Sequence, residues 1–146
     1  MRTDSRLSRM LHVLLHMARH DQPFTSDQIA KMLGTNPVVV RRTMAGLRQA
    51  GYVSAGKGVG GGWRIVCDLQ RVTLLDIHRA VGGPKLFAIG IERDHPDCLV
   101  EQVVNAAMQD ALQQAEAILL QRLASVTLGD LAAEFDANYP ADAHLD

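Results

Sequence analysis

The side chains best suited to chemistry in this chain are arginines, and their spacing points to recognition of a polyanion. Arg41, Arg42 and Arg48 lie within one short segment, preceded by Ser26, Asn36, Val38 and Val39 and followed by Lys57, Gly58, Gly60 and Arg64. A guanidinium stays charged and presents five donors in a fixed fork, which suits guanine edges and phosphate oxygens. At 100° per residue, Val38, Arg41, Arg42, Ala45 and Gln49 share one side of a helix, with Arg48 near its edge. Val40, Met44 and Leu47, at i, i+4 and i+7, share the other side and should pack inward. With the small Ala45 and Gly46 beside the guanidiniums, such a face can enter a groove about 12 Å wide. The plain alternative is a solvated face with scattered arginines, so the flanking elements must decide.

Those elements are legible. Thr25-Ser26-Asp27-Gln28 has the form of a capping box, followed by a short helix with Ile29, Ala30 and Leu33 on one face and Gly34 to end it. Asn36-Pro37 restarts the chain as N-cap and first helical residue, and Gly51 stops the second helix after about Ala50. Two short helices joined by a tight turn form a helix-turn-helix. Tyr52-Val53-Ser54-Ala55 and Trp63-Arg64-Ile65-Val66 read as strands joined by a glycine-rich turn at 56–62, a hairpin wing whose tip carries Lys57. The glycines allow close approach to a phosphate or a minor groove. Gly56, Gly58 and Gly61 also match G-x-G-x-x-G, but a dinucleotide fingerprint opens a helix and here a strand follows. No Gly-Lys-Ser/Thr follows the glycines, so a Walker phosphate loop is excluded as well.

Charge agrees. The first 65 residues hold ten basic and three acidic side chains, a balance of +7; the remainder holds five basic and thirteen acidic, a balance of −8. The near-neutral whole is therefore polarised, with a basic half that suits double-stranded DNA.

Other candidate chemistry is thinner. His12, His16 and His20 form an i, i+4, i+8 row, and two histidines one turn apart can share a metal ion. No carboxylate or thiol joins them at compatible spacing, so the row reads as a solvated polar face with no metal. Cys98 falls in the first turn of a predicted long helix, where the helix dipole favours a thiolate and Asp94 and Asp97 oppose it. Cys98 is thus a candidate redox sensor; the alternative is a plain, half-buried cysteine. Cys67, at the end of the second wing strand, reads as structural. An enzyme would have to use His78, His95 and Cys98, which no nucleophile–base motif surrounds. A metal- or small-molecule-binding module without DNA contact is the other rival class.

The chain has 146 residues, enough for one compact domain or a small domain with an extension. No apolar run is long enough to span a membrane, and no signal-peptide core is seen, so a reducing cytoplasm is expected. The expected fold is mainly α with a small β-hairpin wing. It comprises a winged helix-turn-helix over 1–83, a connector over 84–97 with strand-like residues at its start, and a long dimerisation helix plus a short last helix over 98–146. Helix one should span about 4–20 and bury Leu7, Leu11, Leu14 and Ala18. A helix should run from Thr73 to Gly82-Gly83-Pro84, the long helix over about 96–124, and a last helix capped by Thr127 to Tyr139, followed by a frayed tail. The long helix spans about 40 Å at 1.5 Å per residue. Its apolar stripe, including Val104, Met108, Ala111, Ala115, Ile118 and Leu119, is too wide for one contact. One side should pack on its own domain and the other on a second copy about a two-fold axis.

The stretch from Thr25 to Ile65, followed by VTLLDIHRAVGG, resembles the Rrf-two family of bacterial transcription regulators. The resemblance covers about residues 5–83 well and the long helix in pattern only. It implies cytoplasmic homodimers that bind palindromic operators, mostly as repressors. The family's recognition positions correspond to Val38, Arg41 and Arg42, and its usual wing arginine is Lys57 here. Iron–sulfur members carry three cysteines in the connector, where this chain has Cys98 alone. The resemblance is thus to the cluster-free branch, with no cofactor expected.

Overall fold

The computed structural model describes residues 4–139. Among them the chain order is α1 (Arg6–Ala18), α2 (Ser26–Leu33), α3 (Pro37–Gln49), β1 (Val53–Gly56), β2 (Gly62–Ile65), α4 (Leu74–Ala80), α5 (Leu99–Ser125) and α6 (Leu128–Asn138). The frayed tail expected beyond Tyr139 lies outside the described residues.

Local signals start and stop the helices. Thr25 Oγ1 accepts from the Gln28 N–H at 3.1 Å while Gln28 Oε1 accepts from the Thr25 N–H at 2.9 Å. This reciprocal pairing recurs at Thr73/Asp76 and Thr127/Asp130, so α2, α4 and α6 all open on capping boxes. Asn36 Oδ1 accepts from the Val39 N–H at 3.0 Å, with Pro37 at the first position of α3. Gly34, at φ 64°, ends α2 in the left-handed region.

One core unites these helices. From α3 it takes Val40, Met44 and Leu47, as the periodicity requires. From α1 it takes Met10, Val13, Leu14 and Met17. The face expected from Leu7, Leu11, Leu14 and Ala18 is therefore rotated: Leu7 and Leu11 sit at its edge and Ala18 is exposed. Two apolar stripes share Leu14 on this helix, and packing selects the one whose methionines can fill the gaps between α2, α4 and α6.

Three backbone contacts decide how the elements meet. A Cβ on Gly46 would stand 2.3 Å from the Ala80 carbonyl oxygen, so α3 and α4 cross at a glycine. Phe24 pairs with Trp63 in an isolated antiparallel bridge beside β2, by N–H···O distances of 3.1 and 2.7 Å. Gly62, at φ 132°, makes that approach feasible, since a Cβ there would lie 2.7 Å from the Phe24 oxygen. Finally, Thr127 pairs with Thr73, the Leu74 N–H donates to the Val126 oxygen at 2.9 Å, and the Leu128 N–H donates to the Val72 oxygen at 2.9 Å. Leu128 enters the core. The last helix, placed by the sequence with the long helix, thus packs on the winged-helix core, where Arg19 pairs with Asp136 and lies over the Phe135 ring.

The connector forms no strand. Among the described residues the one sheet is the two-stranded hairpin, and the connector does not pair with it. Instead it is tied to the start of α5: the His95 N–H donates to Glu101 Oε2 at 3.0 Å and Asn105 Nδ2 donates to the Glu92 oxygen at 2.7 Å.

Gly46→Ala should destabilise the fold by roughly 1–3 kcal/mol through overpacking. In a helix free of tertiary contact the same change would stabilise by about 1 kcal/mol, so the sign of the shift in urea unfolding tests the α3–α4 crossing.

Candidate nucleic-acid interface

The face of α3 turned away from the core carries the expected cations. Arg41, Arg42 and Arg48 are exposed, as are Val38 and Val39 near the start of the helix. Among the described residues none of the three arginines makes an ion pair, whereas Arg6, Arg19 and Arg71 do. The valines offer apolar surface of the kind that meets a thymine methyl group.

The wing stands across a cleft of about 530 Å³ from this helix. One wall is α3, through Arg41, Ala45 and Arg48; another is the hairpin, through Ala55, Gly56, Gly58 and Trp63; the third is the N-terminus of α2, through Thr25, Ser26 and Asp27. Trp63 holds the walls together: its ring is buried and Nε1 donates to Ser26 Oγ at 3.0 Å. At the tip, the Gly61 N–H donates to the Gly58 oxygen at 3.0 Å, with Gly58 and Gly60 at φ 77° and 78°. That turn leaves Lys57 exposed and Val59 fully in solvent.

Several expected contacts have other primary duties. Gly46 is half-buried at the α3–α4 crossing and belongs to the core, not to the groove-facing side. The side-chain oxygen of Asn36 is spent on the cap of α3, and the Ser26 hydroxyl is engaged by Trp63. Arg64 is not brought into the cleft. It pairs in register with Ser54 on the outer face of the hairpin, and Nη1 donates to the Asp21 oxygen at 3.2 Å. Alternation along β2 explains this: Trp63 points inward, so Arg64 points out. Thr25, Asp27 and Trp63 line the cleft although the residue pattern did not single them out. The capping box was the available signal, since it marks a helix N-terminus, whose remaining first-turn N–H groups and dipole suit an anion.

The comparisons with known proteins match this geometry. Residues 3–134 fit the family model Rrf2, described as an iron-dependent transcriptional regulator. The chain belongs to the Rrf2 family of transcriptional regulators. It is 32% identical over 129 residues to the Bacillus subtilis (strain 168) protein YwnA, named as an HTH-type transcriptional regulator, covering 88% of this chain and 95% of YwnA. Its fold resembles T. potens IscR, with TM-score 0.68 and 18% identity over 100% of this chain and 94% of that one. It also resembles CymR, the global cysteine regulator of B. subtilis, with TM-score 0.58 and 22% identity over 92% and 98%. The winged-helix fold and the long C-terminal helix are shared, and this Rrf2 protein is a DNA-binding regulator.

The family description names iron, for which the two cysteines and the neighbouring histidine and carboxylates of this chain would have to be the donors. Cys98 is exposed and caps α5 at its N-cap, one position before the first turn, with no side-chain cap bond. Its neighbour His95 places Nδ1 3.6 Å from Glu101 Oε2. Cys67 is half-buried at the end of the wing, and burial pushes its thiol pKa up, against thiolate formation. Among the described residues no three His, Cys, Asp or Glu side chains gather as a metal-holding group. An iron–sulfur cluster is held mostly by four thiolates, and this donor set does not fit one. Of the residues an enzyme would have to use, His78 is buried in α4, whereas His95 and Cys98 lie exposed at the connector and the start of α5.

Arg41→Ala and Arg42→Ala should each cost roughly 1–3 kcal/mol of specific DNA affinity. Lys57→Ala should weaken binding to all sequences and lower the salt slope by about one unit. Arg64→Ala should leave affinity near that of the parent protein. Fluorescence anisotropy over a salt series checks all four; parent-like affinity in the double arginine variant would sink the recognition-face assignment.

Proposed function

We propose that two copies of this chain join through α5 and bind a palindromic operator as a repressor. In each copy α3 enters the major groove and the Lys57 wing tip follows the adjacent backbone. The single observation that carries this reading is the set of exposed arginines on α3, free of ion pairs among the described residues, of which Arg41 and Arg48 face the wing across an open cleft.

The homodimer rests on α5. Its 27 residues bury no side chain fully. Two adjacent faces differ. Met108, Leu112, Leu119 and Leu123 are half-buried within their own chain, on the side where α5 packs against α4. Val100, Val104, Ala107, Ala111, Ala115 and Ile118 fall within about 80° of one another at 100° per residue, and all are exposed, Val100 at 72% and Ile118 at 70%. Of the six predicted dimer residues, Met108 and Leu119 therefore lean toward the parent domain, while Val104, Ala111, Ala115 and Ile118 form the free stripe. A two-fold contact along that stripe would hold two recognition helices at a set separation, as half-sites one DNA turn apart require.

Cys98 supplies the sensing half of the proposal. Its thiol is exposed where the connector meets α5, and an oxidised or alkylated sulfur there adds bulk and polarity at the start of the dimer helix. No cluster takes part.

Ile118→Glu and Ala111→Glu should convert a dimer to monomers in sedimentation and weaken binding to DNA from upstream of the protein's own gene. A parent protein that stays monomeric at tens of micromolar yet binds one palindrome tightly would overturn the dimer. Peroxide or a quinone should lower operator affinity by about 5- to 150-fold, the usual range of allosteric coupling. Cys98→Ser should abolish the response and Cys67→Ser should not, and protein purified anaerobically should carry no iron. A response that survives in Cys98→Ser would remove Cys98 from the mechanism.

A further inference from the structure

Helix α1 carries a pair of imidazoles that DNA binding does not use. His12 and His16, one turn apart, bring their Nε2 atoms to 2.9 Å, with ring centroids 4.8 Å apart and planes 30° from parallel. Two ring nitrogens that close need something between them. With one proton, one ring donates to the other's lone pair; with two, both N–H bonds point at each other. A metal ion can replace the proton and satisfy both lone pairs.

The pair is reachable from solvent, since His12 is exposed and His16 half-buried, and the neighbouring Arg19 is paired with Asp136. His20, the third member of the row, is turned away: its Nδ1 lies 2.8 Å from the His16 carbonyl oxygen and its ring stands edge-on to Phe24 at 5.3 Å.

The donor type favours particular metals: imidazole nitrogen suits Cu2+, Ni2+ and Zn2+, and for a given nitrogen site affinity among divalent first-row ions rises through Ni2+ to a maximum at Cu2+.

We propose that His12 and His16 form a two-imidazole chelate for Cu2+, and more weakly Ni2+, through both Nε2 atoms, with water in the remaining positions. The ion staples two turns of α1, whose opposite face holds Met10, Val13, Leu14 and Met17 in the core. Metal binding therefore stabilises the folded chain by mass action. The site is separate from the connector and independent of the DNA reading.

Metal-free, tag-free protein titrated with Cu2+ against a weak competing ligand, and in parallel with redox-inert Ni2+, tests this. One ion should bind per chain, with nitrogen couplings in the Cu2+ paramagnetic resonance spectrum and a rise in Tm. His12→Gln should weaken binding by at least roughly the tenfold that loss of even an outer-shell partner costs, and His16→Gln should do the same; circular dichroism checks that α1 persists. His20→Gln and Cys98→Ser should bind as the parent does. No binding by the parent, unchanged binding in His12→Gln with α1 intact, or loss in Cys98→Ser would overturn the assignment.

Discussion

The position of Trp63 sets the geometry on which the DNA-binding surface depends. Its ring fills the space under the hairpin, its backbone pairs with Phe24, and its indole N–H ends on Ser26 at the start of α2. One residue thereby joins the wing to the first helix of the helix-turn-helix and fixes how far the wing tip stands from α3. An aromatic residue suits this task because it couples a large apolar body to one donor that must find a partner when buried. The glycine before it is part of the same constraint, since any side chain at Gly62 would push Phe24 away.

From that anchor the charge distribution acquires direction. The arginines of α3 cannot fold back onto the core, whose side of the helix is taken by Val40, Met44 and Leu47. Arg41 and Arg48 project over a cleft whose other walls include glycine backbone and a helix N-terminus, both able to approach an anion closely. Asp27 is the one acidic side chain in that lining, and it sits in the first turn of α2, where the helix dipole favours it.

The second half of the molecule is organised by return. Strand-like pairing of Thr73 with Thr127 brings the end of α5 back to the start of α4, and α6 closes on α1. The long helix is therefore held at its C-terminal end by the core and at its N-terminal end by the connector, through Glu92, His95 and Pro96. Both anchors leave the Val100–Ile118 stripe exposed in the single chain.

What the sequence by itself determined were features governed by nearest neighbours: capping boxes, Asn36-Pro37, Gly34, the inward triad of α3 and the glycine turn of the wing. Each is decided within one or two turns of chain, where hydrogen-bond chemistry and side-chain period suffice. Tertiary structure decided the rest. Which of two stripes α1 buries, why Gly46 is a glycine, where Arg64 points and how α6 packs all depend on partners tens of residues away, and periodicity carries no information about those. The His12–His16 contact is local by comparison: the i, i+4 spacing sets both rings on one face of α1, and the side-chain conformations bring the two Nε2 atoms to 2.9 Å.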